Sequence, residues 1–245
     1  MVGVRALYVG GRVSAFFIAF CLALALTPEL AASQNAPGAI EAGTTVMVRN
    51  QVTGLLGNQQ RELKIGHRVH RDEIIRTGSQ AQVEFKLDDD TRLALGPDAE
   101  LRLDEFAIGG GNTSSSIAVR LLKGTLRFLT GRQTSQSYRI DTPAATIGVR
   151  GTVFDLYINP QGETFVLMHQ GQVEVCSMDR SSCSKHRSIG RIVHVANSGV
   201  VSVPGKWSAE LNGGVTAVEA FPFVGRRLEV DPIPRMTHST ITERK

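Results

Sequence analysis

Apolar and polar residues alternate along most of the chain. The apolar set runs through Val83-Phe85-Leu87, Leu93-Leu95, Leu101-Leu103, Ile117-Val119-Leu121, Leu126-Phe128, Tyr138-Ile140, Phe154-Leu156-Ile158, Phe165-Leu167, Val173-Val175 and Val193-Val195. Successive side chains of a strand point to opposite faces, so this spacing predicts strands with one buried face. No stretch of comparable length carries helical periodicity. Turn chemistry separates the runs at Asp88-Asp89-Asp90, Gly96-Pro97-Asp98, Gly109-Gly110-Gly111-Asn112, Asn159-Pro160-Gln161-Gly162 and Gln170-Gly171. Short strands at that spacing predict an all-β roll or solenoid, with a β-sandwich as the alternative. Val149 faces inward, yet the next apolar set starts at Phe154, an odd step that reverses the facing. A bulge or corner is expected there, with Gly151 supplying it.

The first residues read as an address. Arg5 and Arg12 precede the apolar run AFFIAFCLALAL, which Thr27-Pro28-Glu29 breaks before the small residues Ala31-Ala32-Ser33. That is the layout of a secretory signal peptide, and the run is too short for a spanning helix, which needs about 20 apolar residues. Cys21 sits in mid-run behind Phe20, unlike a lipid-attachment cysteine. Removal of residues 1–33, with Arg5, Arg12 and Glu29, lowers the formal net charge from +4 to about +3, a thin positive excess that gives no reason to expect nucleic acid. Cys176 and Cys183 then remain, separated by a polar stretch that reads as a turn between strands. In an oxidising compartment they are expected to form a disulfide. Closing so small a loop contributes roughly 2.5 kcal/mol in the chain-entropy model, enough to pin a hairpin.

Candidate chemistry is sparse. His67 and His70 form an HxxH pair beside Arg68 and Arg71, with no third ligand at zinc spacing. The three aspartates at 88–90 lack the one-three-five calcium pattern. Residues 199–206 place Trp207 where a phosphate loop has Ser or Thr, and no Gly-x-Ser-x-Gly elbow is present. Glu73, Asp88, Asp98 and Asp104 are scattered over turns, whereas a carbohydrate-active enzyme needs paired carboxylates around a groove. No catalytic residue, metal or cofactor is therefore expected. Arg150, at the inferred bulge, is a candidate for partner contact. From Gly205 the strand pattern dilutes, with Pro222, Pro232 and Pro234 among charges. Residues 205–245 read as a peripheral extension with little helix and a disordered tail. Its Trp207, Phe221 and Phe223 either cover a sheet edge, the favoured reading, or are offered to a partner.

Within this pattern lies a family resemblance. Arg71-Asp72-Glu73-Ile74-Ile75-Arg76-Thr77-Gly78, Ala81-Gln82-Val83-Glu84-Phe85 and Asp90-Thr91-Arg92-Leu93-Ala94-Leu95-Gly96 resemble the opening half of a FecR domain. Leu122-Lys123-Gly124-Thr125-Leu126-Arg127-Phe128, the block Thr142-Pro143-Ala144-Ala145-Thr146-Ile147-Gly148-Val149-Arg150-Gly151-Thr152-Val153-Phe154, and Gly171-Gln172-Val173-Glu174-Val175 resemble the second half. The resemblance runs roughly from Val46 to Pro204. It departs at Asp89-Asp90-Thr91, where the family usually has Asp-Gly-Thr, and at His67, where Asp often follows Gly. As family-motif positions of structural rather than chemical role we take Thr77, Gly78, Gly124, Thr142, Pro143, Gly148, Gly151, Thr152, Phe154 and Gly171.

The resemblance implies an envelope-facing unit without chemistry of its own. FecR proteins of the founding type join a cytoplasmic anti-sigma segment and a membrane span to a periplasmic domain. Here no retained span is expected, and the domains read as signal peptide 1–33, flexible linker 34–45, FecR-like β domain 46–204 and extension 205–245. The expectation is a periplasmic or secreted bacterial module that binds or senses, docking an envelope protein or a cell-surface polymer. The alternatives are a periplasmic regulator in a sigma-factor pathway acting through a separate membrane protein, and, well behind, a carbohydrate-active β-fold enzyme.

Overall fold

The computed structural model describes residues 39–107, 115–131 and 138–243. The expected signal peptide lies outside them, as do the glycine turn at 109–112 and the last two residues.

Fourteen strands in the described residues form one hydrogen-bonded sheet. In chain order they are β1 (Glu41–Arg49), β2 (Val52–Leu56), β3 (Gln59–Glu62), β4 (Arg68–His70), β5 (Ile74–Thr77), β6 (Gln82–Leu87), β7 (Arg92–Leu95), β8 (Glu100–Ala107), β9 (Ser115–Leu129), β10 (Tyr138–Asp141), β11 (Ala145–Ile158), β12 (Thr164–Ser177), β13 (Cys183–His186) and β14 (Ile192–Val195). The three long strands belong to two leaves. The first half of β9 pairs with β8 and, in parallel, with β10, while its second half pairs with β7 and β11. Leaf one therefore runs β3-β2-β5-β8-β9-β10-β11-β12-β13, and leaf two β4-β1-β6-β7-β9-β11-β12-β14. Apart from β9 with β10, these pairings are antiparallel. The all-β fold expected from the alternation is present, closed by a sheet folding over on itself.

The fold-over is made at bulges. In β11, Ala145, Ile147 and Val149 face the core before the register slips between Arg150 and Phe154, after which Phe154, Leu156 and Ile158 face it instead. Gly151 stands in that slip at φ 65, the left-handed region that glycine enters without a Cβ penalty. Across from it Gly171, at φ 85, comes so close that an added Cβ would lie 2.5 Å from the Gly151 carbonyl oxygen.

The inward residues of both leaves form one core. Phe128 of leaf two meets Tyr138 of leaf one edge-on at 5.5 Å, and Phe154 stacks on Phe128 at the same distance. Burying side chains of this size contributes about 1.5–3 kcal/mol each. Tyr138 Oη donates to Asp89 Oδ2 at 2.6 Å, and burial together with that carboxylate pushes its phenol up to about 12. Asp89 also accepts from the Thr91 amide, while Asp90 adopts φ 66 where the family usually places Gly. The aspartate run is thus a tied turn, as its sequence indicated.

Leaf two is buried on its outer face as well, and this departs from the sequence reading of residues 205–245. Trp207, Phe221, Phe223, Val224, Leu228, Val230 and Ile241 are all buried, and the described residues form one compact unit. Helices α1 (Ala217–Ala220) and α2 (His238–Ile241) are single turns, the first opened by a Thr216–Glu219 capping box. Trp207 packs on Phe165, Phe221 and Tyr157 and donates its indole N–H to Val215 O at 2.9 Å. The expected disordered tail is instead packed through Glu243, whose amide donates to Trp207 O. Apart from the buried Asp231, its charges and prolines lie at or near the surface, while a few aromatic and aliphatic residues face the sheet. The expected linker also gives way: β1 begins at Glu41, because ladder bonds to β4 and β6 outweigh the small, polar composition of that stretch.

Candidate functional site

Two polar constellations stand out, one buried under the extension and one open on leaf one. The buried one follows from register. Glu84, Ala94, Arg127 and Asp155 are consecutive cross-strand partners on β6, β7, β9 and β11, so they form a row on the outer face of leaf two. Arg127 donates from Nε to Asp155 Oδ1 at 2.6 Å and from Nη2 to Asp155 Oδ2 at 2.8 Å, with both side chains at most 1% exposed. His169 Nε2 lies 2.9 Å from the same Oδ2 and 3.0 Å from Arg127 Nη2. From the extension, Phe223 lays its ring against the guanidinium at 5.8 Å, and Asp231 Oδ2 sits 3.9 Å from Nη1. Burial by itself would push Asp155 up, but Arg127 and His169 hold it well below the usual carboxylate range. Burial likewise pushes Glu84 up, only partly opposed by the hydrogen bonds it accepts from the Val230 amide and Gln82 Nε2, each 2.9 Å. Arg92 Nη1 completes the fastening by donating to Val230 O at 3.0 Å.

This cluster performs attachment. Its carboxylates are occupied, Asp155 by Arg127 and His169, Glu84 by the Val230 amide and Gln82, and Asp231 by Arg235, and the extension seals it from water. A buried ion pair is weak evidence for net stability, but removing one partner leaves an uncompensated charge, so such a pair sets register and alignment. Sequence reasoning missed it. The only available signal was the charge at Glu84, Arg127, Asp155 and His169 inside otherwise apolar strands.

The open constellation lies on the outer face of leaf one, which no described segment covers. Arg102 of β8 is opposite Arg120 of β9, Arg120 is opposite Asp141 of β10, and Arg139 is opposite Ala118 and Gly148. Small Ala118 leaves a crevice of about 250 Å3 between the longer charged side chains. Asp104 pairs with Arg102 and, at 3.4 Å, with Arg120. Arg139 Nε donates to Asp141 Oδ1 at 2.8 Å, and Arg76 pairs with Glu100 at 3.0 Å along the same face. Such pairs are partly exposed and individually weak, about 0–1 kcal/mol, so their arginines can exchange partners at low cost. Arg150 continues this face beside Gln172, exposed and without a side-chain partner among the described residues.

The other sequence-selected residues fall as follows. Cys176 and Cys183 are cross-strand neighbours on β12 and β13 and form a disulfide. Thr77 Oγ1 donates to Gly96 O and accepts from the Ala99 amide, tying β5 to the turn before β8. Gly78 donates to Gln51 O, and Gly124 backs onto Ala99. Thr142 Oγ1 accepts from the Ala145 amide and meets Thr164 Oγ1 at 2.7 Å, setting the Pro143 turn. The Thr152 amide donates to Thr130 Oγ1, Phe154 is in the core, and Gly148 lies exposed on leaf one. Trp207, Phe221 and Phe223 are at most 1% exposed, which leaves none of them to offer to a partner. Glu73, read as a turn carboxylate, is fully buried and takes a bidentate Arg61 at 2.9 and 3.0 Å. His70 does meet a carboxylate, Glu73 at 3.3 Å, but Arg61 already neutralises it. Among the described residues no group of three or more His, Cys, Asp or Glu is placed to hold a metal, and no helix is long and apolar enough to cross a membrane.

An all-β module with one self-covered leaf and one charged, open leaf is the class defined by this geometry. Residues 73–174 match the FecR protein family. Two crystal structures of a "putative anti-sigma factor" from Parabacteroides distasonis ATCC 8503, at 1.65 and 2.50 Å resolution, are similar to it at 20% identity. They align over 53% and 59% of this chain with TM-scores of 0.43 and 0.44, and this chain spans 57% and 63% of their length. No curated protein matches the sequence.

Proposed function

We propose that this protein is a non-catalytic regulator of envelope signalling that acts in a sigma-factor pathway through a separate membrane protein, docking it with the open face of leaf one. One observation carries the reading. The segment matched to FecR, residues 73–174, contains Arg76, Arg102, Asp104, Arg120, Arg139, Asp141 and Arg150, whereas the extension that covers leaf two lies outside it. Alternating arginine and aspartate at strand spacing suits a partner with complementary alternating charge. Such complementarity governs register and encounter rate more than raw affinity. The disulfide favours an oxidising compartment, as export to the periplasm would provide.

The test is genetic. Deletion of the gene in the native bacterium is expected to change transcription of one regulon controlled by an extracytoplasmic sigma factor. The wild-type gene restores it, and a folded Arg120→Glu, Arg139→Glu variant does not. An unchanged transcriptome, or full restoration by the variant, overturns the reading.

A further inference from the structure

A second concave site lies beyond the matched segment. Residues 189–191, Lys206 and the segment from His238 to Glu243 line an open cavity of about 830 Å3. Its walls are fixed by backbone hydrogen bonds: Ile192 and Gly205 exchange bonds of 2.8 and 2.9 Å, Trp207 donates to Ile241 O at 2.7 Å, and Glu243 donates to Trp207 O at 3.0 Å. Ligand sites of small molecules commonly occupy about 300–1,000 Å3.

The lining is chemically lopsided. Arg191 and Lys206 both face the cavity, and among the described residues neither side chain has an ion-pair or hydrogen-bond partner. Glu243 is the lining carboxylate, so the cations outnumber the anions. Ser239, Thr240 and Thr242 add hydroxyls from one short segment, and the exposed Ile189 gives a single apolar surface. A lone inorganic anion would fill only a small part of this volume. A peptide would need more apolar wall than Ile189 provides. A sugar ring carrying a carboxylate matches all three features: cations for the charge, hydroxyls for ring hydroxyls and one aliphatic side chain for the ring's apolar face.

We propose that this cavity binds an anionic saccharide, with Arg191 and Lys206 holding its carboxylate. The site is separate from the leaf-one face, and its test uses only the purified chain, so it can fail without touching the signalling proposal. Titration calorimetry of the full chain with trigalacturonate at low salt is expected to show saturable binding that weakens as salt rises. The Arg191→Gln, Lys206→Gln double variant should lose at least tenfold in affinity with an unchanged melting temperature, and Thr240→Val should weaken binding to a smaller degree. Maltotriose should not bind. The proposal is overturned by absent saturation, by equal affinity in the double variant, or by maltotriose, an oligoglutamate peptide or inorganic phosphate binding as tightly as trigalacturonate.

Discussion

Arg127 and Asp155 stand directly opposite each other on adjacent strands, joined by two hydrogen bonds and shielded from water by the carboxy-terminal segment. The contact links two levels of the structure. The strand register creates the pair, and the pair helps place Phe223 and Asp231 on the sheet.

Breaking that pair on one side is expected to be far worse than replacing both members. Asp155→Ala leaves a buried guanidinium and should cost about 3–5 kcal/mol, whereas Arg127→Met with Asp155→Leu should lie much closer to wild type. Urea unfolding of the two single variants and the double variant measures the coupling. Purely additive losses would show that the pair is not a unit.

The buried imidazole of His186 provides a pH test. Burial lowers its pKa below the usual histidine value, opposed in part by the hydrogen bond to Arg191 O. The folded state therefore binds a proton less readily than the unfolded chain. Its contribution to stability is complete above about pH 6.5 and is lost as pH falls through the lower folded value. Carbon-13 NMR titration should find His186 still neutral at pH 6.5, and a midpoint at or above that pH contradicts the assignment.

The two glycines of the fold-over separate strain from collision. Gly151→Ala meets open space and carries only the penalty of its positive φ, about 1 kcal/mol, whereas Gly171→Ala also drives a methyl into the Gly151 carbonyl. Thermal melts should rank Gly171→Ala clearly below Gly151→Ala. The reverse order would mean the strands are not in contact there.

Trp207→Ala should cost about 3–5 kcal/mol and raise amide exchange throughout residues 205–243, because it empties the centre of the layer over leaf two. Arg150→Ala, at an exposed position without a side-chain partner among the described residues, should stay within about 0.5 kcal/mol. Hydrogen exchange read by mass spectrometry distinguishes a local loss from the expected release of the whole layer.

Much of this protein was written in its alternation. Period-two spacing identifies the strands, the phase reversal between Val149 and Phe154 locates the bend, and two cysteines seven positions apart anticipate the β12–β13 staple. These are local properties, fixed by which side of a pleat each residue occupies. The leaf assignments and the burial of leaf two on both faces depend on chain segments far apart. Glu84 alternates with the core residues Val83 and Phe85, and only the fold brings Val230, 146 residues later, to donate to it. Likewise the extension's prolines and charges suggest a loose tail, because sequence composition averages its buried and exposed sides together. Tertiary structure alone decided that its few apolar residues converge on one face, since that requires the sheet to exist first.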